Sequence, residues 1–404
     1  MSPLPSRPGP LAGMKVIELA HIMAGPICGL MLADMGADVI KVEKPDGDDT
    51  RRFVPPDIDG ESAAYMMMNR NKRGIALNLK DPGARDALKT LLMDADVVIE
   101  NYRMGTMERL GLGYETLREI NPRLVYCEVS GFGRTGPYAQ RGGFDLIAQG
   151  MSGLMSITGE GPGRPPVKPG APISDITAGI LAAMGCCAAY AQAQASGVGQ
   201  KVDTSLFEAG ITLTYWQSAI TFATGQAPGP MGSAHPLNAP YQSFRTRDGW
   251  INVGAANQRN WLRFLEVIGA PELDADPRFA SNAQRMMHLD ALVALLEAEL
   301  TRETTRTWLE RMEEAGLPAG PVLDIAQMHS DPQALARQMI VETEHPVAGR
   351  VKTIGLPVKF SDTPGAVQAP APTLGQHSRE ILAAAGLDPE QIERMIASGA
   401  VLAP

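Results

Sequence analysis

Residues 14–43 read MKVIELAHIMAGPICGLMLADMGADVIKVE. The run MKVIELA, residues 14–20, is compact and apolar and predicts a buried strand. From Pro26 to Ala37 the apolar residues Ile27, Leu30, Met31 and Met35 fall at helical spacing. DVIKVE, residues 38–43, predicts a second strand. Strand, helix and strand in so short a span make a βαβ unit, and therefore a parallel sheet in an α/β protein. The outline is that of a dinucleotide-binding half, with Glu43 ending the second strand where a ribose-binding acid would sit. The turn, however, reads HIMAGPICG and not G-x-G-x-x-G, so the close backbone approach to a pyrophosphate has no glycines to allow it. That argues against a nicotinamide cofactor.

The same alternation continues outward. Residues 75–79 (IALNL), 96–100 (DVVIE) and 123–129 (RLVYCEV) predict further strands. Asp81 and Pro82 open a helix through Met93, with proline at its first position. Residues 114–120 predict another helix. A long apolar run, 176–195, has the hydropathy of a membrane span. Its Gly179, Gly185, Gln192, Gln194 and many alanines suit a buried core helix better. Residues 200–204 predict a strand and residues from Ser205 a helix. Near Gly225 the composition turns to Gly, Pro and Ala, as in a linker. Beyond it, residues 241–258 predict a hairpin with Arg247-Asp248-Gly249 at its turn. Helices are expected over 258–267, 287–300, 305–315 and 377–385, with strands in the stretch HPVAGRVKTIGLPVKF. The division expected is residues 1–225 for a large α/β domain, 226–330 for a smaller α+β domain with linkers, and 331–404 for a return to the first.

Composition limits function. The chain has 404 residues, 36 basic against 45 acidic side chains, and a formal net charge of −9. No basic stripe points to nucleic acid. The N-terminal MSPLPSRPGPLAG has no apolar core of a signal peptide. Cys28, Cys127, Cys186 and Cys187 show no metal or redox spacing, which suits a reducing, cytoplasmic compartment. Lys41, Lys44, Arg51, Arg52, Arg70, Lys72 and Arg73 cluster in one span, interrupted by Asp46, Asp48, Asp49, Asp57 and Asp59. They read either as a solvated mixed-charge face or as a site for phosphates.

Residues 142–179, GGFDLIAQGMSGLMSITGEGPGRPPVKPGAPISDITAG, hold the chemistry. A short helical run gives way to a long Gly/Pro loop, and Asp175 then precedes the apolar run. Asp175 has two readings: a helix cap, or a carboxylate held in a cleft by a functional loop.

This stretch resembles the family III (CaiB/BaiF-type) CoA-transferases. So do AGPICGLMLADMGADVIKVEKPDGDDTRR, NRNKRGIALNLK, DVVIENYRMGTMERLGLGYETLREINPRLVYCEVSGFGRTGPY, GQKVDTSLFEAG, APYQSFRTRDGWINV and APTLGQHSREIL, in that order over nearly the whole chain. The resemblance implies that Asp175, in PISDITAG, is a covalent nucleophile. It implies that CoA thioesters are substrates, that no cofactor is permanently bound and that no metal is required. It places His21, Met23 and Ala24 along the bound CoA and Lys44 near its phosphates. Asn101, Tyr102, Arg103, Thr106 and Arg109 surround its pantetheine and nucleotide, and Leu77 also belongs to the CoA-binding set. It further implies a CoA-binding Rossmann-like domain and two protomers threaded as an interlocked homodimer, with no nucleic-acid or membrane partner. Donor and acceptor are an acyl-CoA, with succinyl-CoA the expected one, and a carboxylic acid. The covering loop of formyl-CoA transferases corresponds here to Gly254–Gln258, GAANQ, which departs from that glycine-rich pattern. An α-methylacyl-CoA racemase shares the scaffold, but needs a His–Asp pair, and Phe144 stands where that histidine would be. A non-catalytic CoA-binding protein is the other alternative.

Overall fold

The computed structural model describes residues 9–404, and the reading of residues 1–8 as free of a signal peptide lies outside them. The chain forms two compact units. The first comprises residues 9–153, 169–213 and 332–404, and the second 154–168 and 214–331. The boundaries expected at 225/226 and 330/331 therefore shift to 213/214 and 331/332. Most of the Gly/Pro loop, through Lys168, clusters with the second unit.

A mixed seven-stranded sheet forms the centre of the first unit. Its parallel strands are β1 (Lys15–Glu18), β2 (Asp38–Glu43), β3 (Arg73–Leu77), β4 (Val97–Glu100), β5 (Val125–Ser130) and β6 (Lys201–Ser205). They lie in the order 3-2-1-4-5-6, and a two-residue strand, Val401–Leu402, adds antiparallel to β3 at the edge. The strands are apolar on both faces because both faces are covered. Val16, Val39, Val97 and Ile99 face one helical layer, while Ile17, Ile40 and Val98 face the other.

The first layer holds α1 (Ala24–Asp34) and the long helix α2 (Ile173–Ser196). Along α2, Ala178, Ala182, Ala183, Cys186, Ala189 and Ala193 form the buried stripe. Helical spacing of small residues brings α2 close to the sheet and to α1. At Gly179, an added Cβ would sit 2.6 Å from the Ala24 carbonyl oxygen. Although α2 is long and apolar enough to cross a membrane, its stripe packs in a protein core. The fold also brings Cys28, Cys127 and Cys186, far apart in sequence, to within 4.8 Å of one another at their sulfur atoms in this layer. All four cysteines are free.

Several cations that read as a surface cluster are internal. Lys41 and Lys72 are fully buried and share Glu18, at 3.1 and 2.7 Å, and Lys41 also pairs with Asp48 at 2.9 Å. Arg70 is buried against Asp34 at 2.6 Å. Arg51 forks onto Glu43 at 2.7 and 2.8 Å, and Arg73 pairs with Asp38 at 2.5 Å. These five are structural, so neither the solvated-face reading nor the phosphate reading describes them. Only Lys44 and Arg52 of the seven are substantially exposed.

The C-terminal segment belongs to the first unit. Besides the edge strand, it supplies the helices Ser378–Ala384 and Pro389–Ala397. The second of these helices and the edge strand have no counterpart in the sequence reading. In the second unit, the strands Tyr241–Arg245 and Trp250–Gly254 form the expected hairpin, extended by Ala319–Pro321. The amphipathic helices Gln258–Ile268, Leu289–Leu300 and Thr305–Glu314 bury Trp261, Phe264, Leu296 and Trp308 in a core of their own. Asn257, within the loop 254–258, caps the first of these by accepting the Asn260 N–H at 2.9 Å.

Candidate active site

In a doubly wound sheet the strand order reverses at one place, and ligands bind outside the carboxyl ends of the strands there. Here the reversal lies between β1 and β4. A cavity of about 510 Å³ opens at that place, lined from the ends of β1, β4 and β5. His21, Met23 and Ala24 follow β1. Asn101, Tyr102, Arg103, Thr106 and Arg109 follow β4. Asp175 comes in from the first turn of α2, so nine of the expected site residues line one cavity. Lys44 lines a smaller cavity of about 230 Å³ that shares His21, Asp49 and Tyr102 with it. Leu77 is not among the lining residues. Its side chain is 1 % exposed in the core beneath the sheet, and its backbone pairs with the C-terminal strand.

The turn after β1 is held firmly. Asn101 accepts the His21 N–H at 2.9 Å and donates to the His21 carbonyl at 2.7 Å. Ile22 has φ of 67°, a left-handed conformation that a β-branched residue rarely adopts. Its N–H donates to both oxygens of Asp48 at 3.3 Å. Burial would raise the Asp48 pKa, but Lys41 and the Thr50 N–H and hydroxyl overcome it and hold the carboxyl well below the usual range. Backbone strain held by a buried charge network is characteristic of functional sites. Burial lowers the pKa of His21, against the opposing pull of Asp48. The turn leads into α1, whose N-cap Met23 has no side-chain capping bond among the described residues, and Met23 and Ala24 line the cavity.

Asp175 is not a cap. Helix α2 begins at Ile173 after Pro172, and Asp175 is its third residue. The capping is done by Asp145, at the start of the helix Asp145–Met151. Its Oδ1 accepts the Ser174 N–H at 2.9 Å and the Asp175 N–H at 3.4 Å, while Oδ2 accepts from Gln149 at 2.6 Å. The Asp175 carboxylate itself accepts no hydrogen bond among the described residues and faces the cavity. Burial, and then the like charge of Asp145, push its pKa up to about 7. A largely buried carboxylate with no donor among the described residues, set beside a second carboxylate, marks a candidate functional group.

The positive charge of the site is also unspent. Arg103 has no carboxylate partner among the described residues, and Arg109 reaches only the Thr106 hydroxyl, at 3.0 Å. Arg141, not singled out in the sequence, lines the same cavity and lies over the Tyr138 ring at 4.1 Å. Arg134, also lining it, is instead committed to Glu100 at 2.7 Å and Glu128 at 3.2 Å. Lys44 has Asp49 at 3.1 Å and Asp46 at 3.4 Å, and its hydrogen bond to Asp49 raises its pKa. Asp145 and Arg141 were within reach of sequence reasoning only through their place in RGGFD. Nothing local says that Asp145 caps a helix starting 28 residues later.

Comparison with known proteins adds the identity of the scaffold. Residues 11–378 match the model of CoA-transferase family III. The chain is 40 % identical to the succinate–glutarate CoA-transferase of Agrobacterium fabrum, over 98 % of this chain and 99 % of that protein. It is 41 % identical to the acetyl-CoA:oxalate CoA-transferase of Acetobacter aceti, over 88 % of this chain and 91 % of that one. A crystal structure of a CaiB/BaiF family protein from Brucella suis is 39 % identical and superposes with a TM-score of 0.84, covering 94 % of this chain and all of that one.

Proposed function

This chain belongs to CoA-transferase family III and is an enzyme acting on CoA thioesters and carboxylic acids, and we propose that Asp175 is its covalent nucleophile. The observation that carries the proposal is the state of that carboxylate: on the cavity wall, without a donor among the described residues, and with its pKa pushed up to about 7.

The chemistry follows in four steps. The Asp175 carboxylate attacks the acyl-CoA carbonyl, the C–S bond breaks, and CoA thiolate leaves a mixed anhydride. The thiolate attacks the Asp175 carbonyl, releasing the donor acid and forming an aspartyl-CoA thioester. The acceptor carboxylate attacks that thioester and expels thiolate, giving a second anhydride. Thiolate attack on the acceptor carbonyl yields the new acyl-CoA and free Asp175. The difficulty is that a carboxylate must displace a thiolate. Ordinary carboxyl and thiol pKa values differ by about 4–5 units, or about 6 kcal/mol. Burial and the neighbouring charge of Asp145, which raise the Asp175 pKa, narrow that gap. Binding of the nucleotide end of CoA at Lys44, Arg103 and Arg109 supplies the rest through remote contacts.

Succinyl-CoA is the donor we propose, and the two relatives' names, glutarate and oxalate, support short dicarboxylic acceptors. The assembly we propose is an interlocked homodimer in a reducing cytoplasm. The helix Tyr215–Thr224 supports a dimer, because none of its residues is buried although it carries Tyr215, Trp216 and Phe222. The test is direct: purified protein, given succinyl-CoA and a panel of carboxylic acids without added metal, should form the new acyl-CoA. Exchange of α-protons with no transfer would reject the proposal in favour of a racemase.

A further inference from the structure

We propose that Arg141 binds the free carboxylate at the far end of the acyl chain, and so selects dicarboxylic monothioesters and dicarboxylic acceptors. The inference rests on the transfer reading for its site and goes beyond it by assigning the group that reads the substrate.

Three arginines without a carboxylate partner among the described residues line the Asp175 cavity: Arg103, Arg109 and Arg141. Arg103 and Arg109 follow β4, on the side assigned to CoA. Arg141 comes from a different loop and stands outside the set that the family resemblance assigns to CoA. That loop is tied to the nucleophile. Four residues on, Asp145 accepts the backbone N–H groups of Ser174 and Asp175. Between them, Gly143 packs on Gly131 so closely that a Cβ would sit 2.5 Å from the Gly131 Cα. Arg141 is thus mounted on the segment that leads to Asp145, and it lines the same cavity as Asp175.

Its own geometry suits a carboxylate. Tyr138 supports the guanidinium from one face at 4.1 Å, leaving edge N–H groups to fork onto two oxygens. Phe144, Val129 and Leu206 give the same cavity apolar wall, fit for the methylene chain between two carboxyl ends. A monocarboxylic acyl group of equal length has nothing to offer the guanidinium.

The experiment compares succinyl-CoA with butyryl-CoA, which has the same chain length and no second carboxylate. Wild-type protein should favour succinyl-CoA in kcat/KM by about 10- to 100-fold, the range expected of a charged hydrogen bond. Arg141→Met should bring the ratio near one, and Arg141→Lys should restore it in part, as a point charge without the fork. Binding to Asp175→Asn, which cannot turn the thioesters over, should give the same contrast in Kd for each Arg141 variant. Discrimination in binding without transfer by the wild type would reject the transfer reading and keep the role of Arg141. Transfer with no preference for succinyl-CoA, or Arg141→Met weakening both thioesters equally, would overturn the role of Arg141.

Discussion

At the scale of the residue, two carboxylates divide the work around α2. Asp145 accepts backbone N–H groups, and the Asp175 carboxylate has no donor among the described residues. Removing the Asp145 charge while keeping its acceptor oxygen should show this division. Asp145→Asn should lower the midpoint of the acid limb of the rate–pH profile from near 7 towards the ordinary carboxylate range, without reaching it, because burial remains the larger cause. An unchanged midpoint in a folded variant would mean that burial alone raises Asp175. The same shift has a consequence for stability. The folded pKa of Asp175 lies above its ordinary 3.8, so the folded state binds the proton more tightly than the unfolded chain. Its contribution to stability is therefore present below pH 4 and lost as pH rises to 7. Asp175→Asn, which does not titrate, should be more stable than wild type at pH 8, by about 2 kcal/mol once solvent screening is allowed for. Little difference should remain at pH 4. Denaturant midpoints at the two pH values measure it, and an equal difference at both would contradict the assignment.

At the scale of the element, β1, α1 and β2 enclose a charge network that their sequence hides. Strand and helix were legible in residues 14–43 because apolar spacing records which face is covered. The ion pairs were not, since Glu18, Lys41 and Lys72 meet only when three parallel strands and α1 come together. Gly29 reveals the fit. A Cβ there would lie 1.8 Å from a Glu18 oxygen, and Glu18 cannot move away from two buried lysines. Gly29→Ala should cost about 3 kcal/mol in unfolding free energy, measured by denaturation. A loss under about 0.5 kcal/mol would show the network to be pliable. The site residues from His21 to Arg109 were named through the family resemblance alone; the fold accounts for their company, because strand ends in such a sheet gather at one place. Leu77 also ends a strand but lies on a face covered by the C-terminal segment, and no local pattern announces that segment's return.

At the scale of the whole molecule, the exposed aromatic helix and the exposed Ile180 and Met184 of α2 need cover. If two chains are interlocked, dilution cannot part them without unfolding. Sedimentation across a thousandfold range of concentration should give one dimeric species, and a reversible monomer would reject the threading. The account's central claim, however, is the covalent role of Asp175, and one measurement reaches it most directly. Protein incubated with succinyl-CoA alone, treated with borohydride and digested, should yield the peptide containing Asp175 with its carboxyl reduced to an alcohol. The Asp175→Asn protein should bind CoA yet give no such peptide and no transfer. An Asn variant that transfers CoA at near the wild-type rate, or a reduced carboxyl found on another residue, would contradict the account.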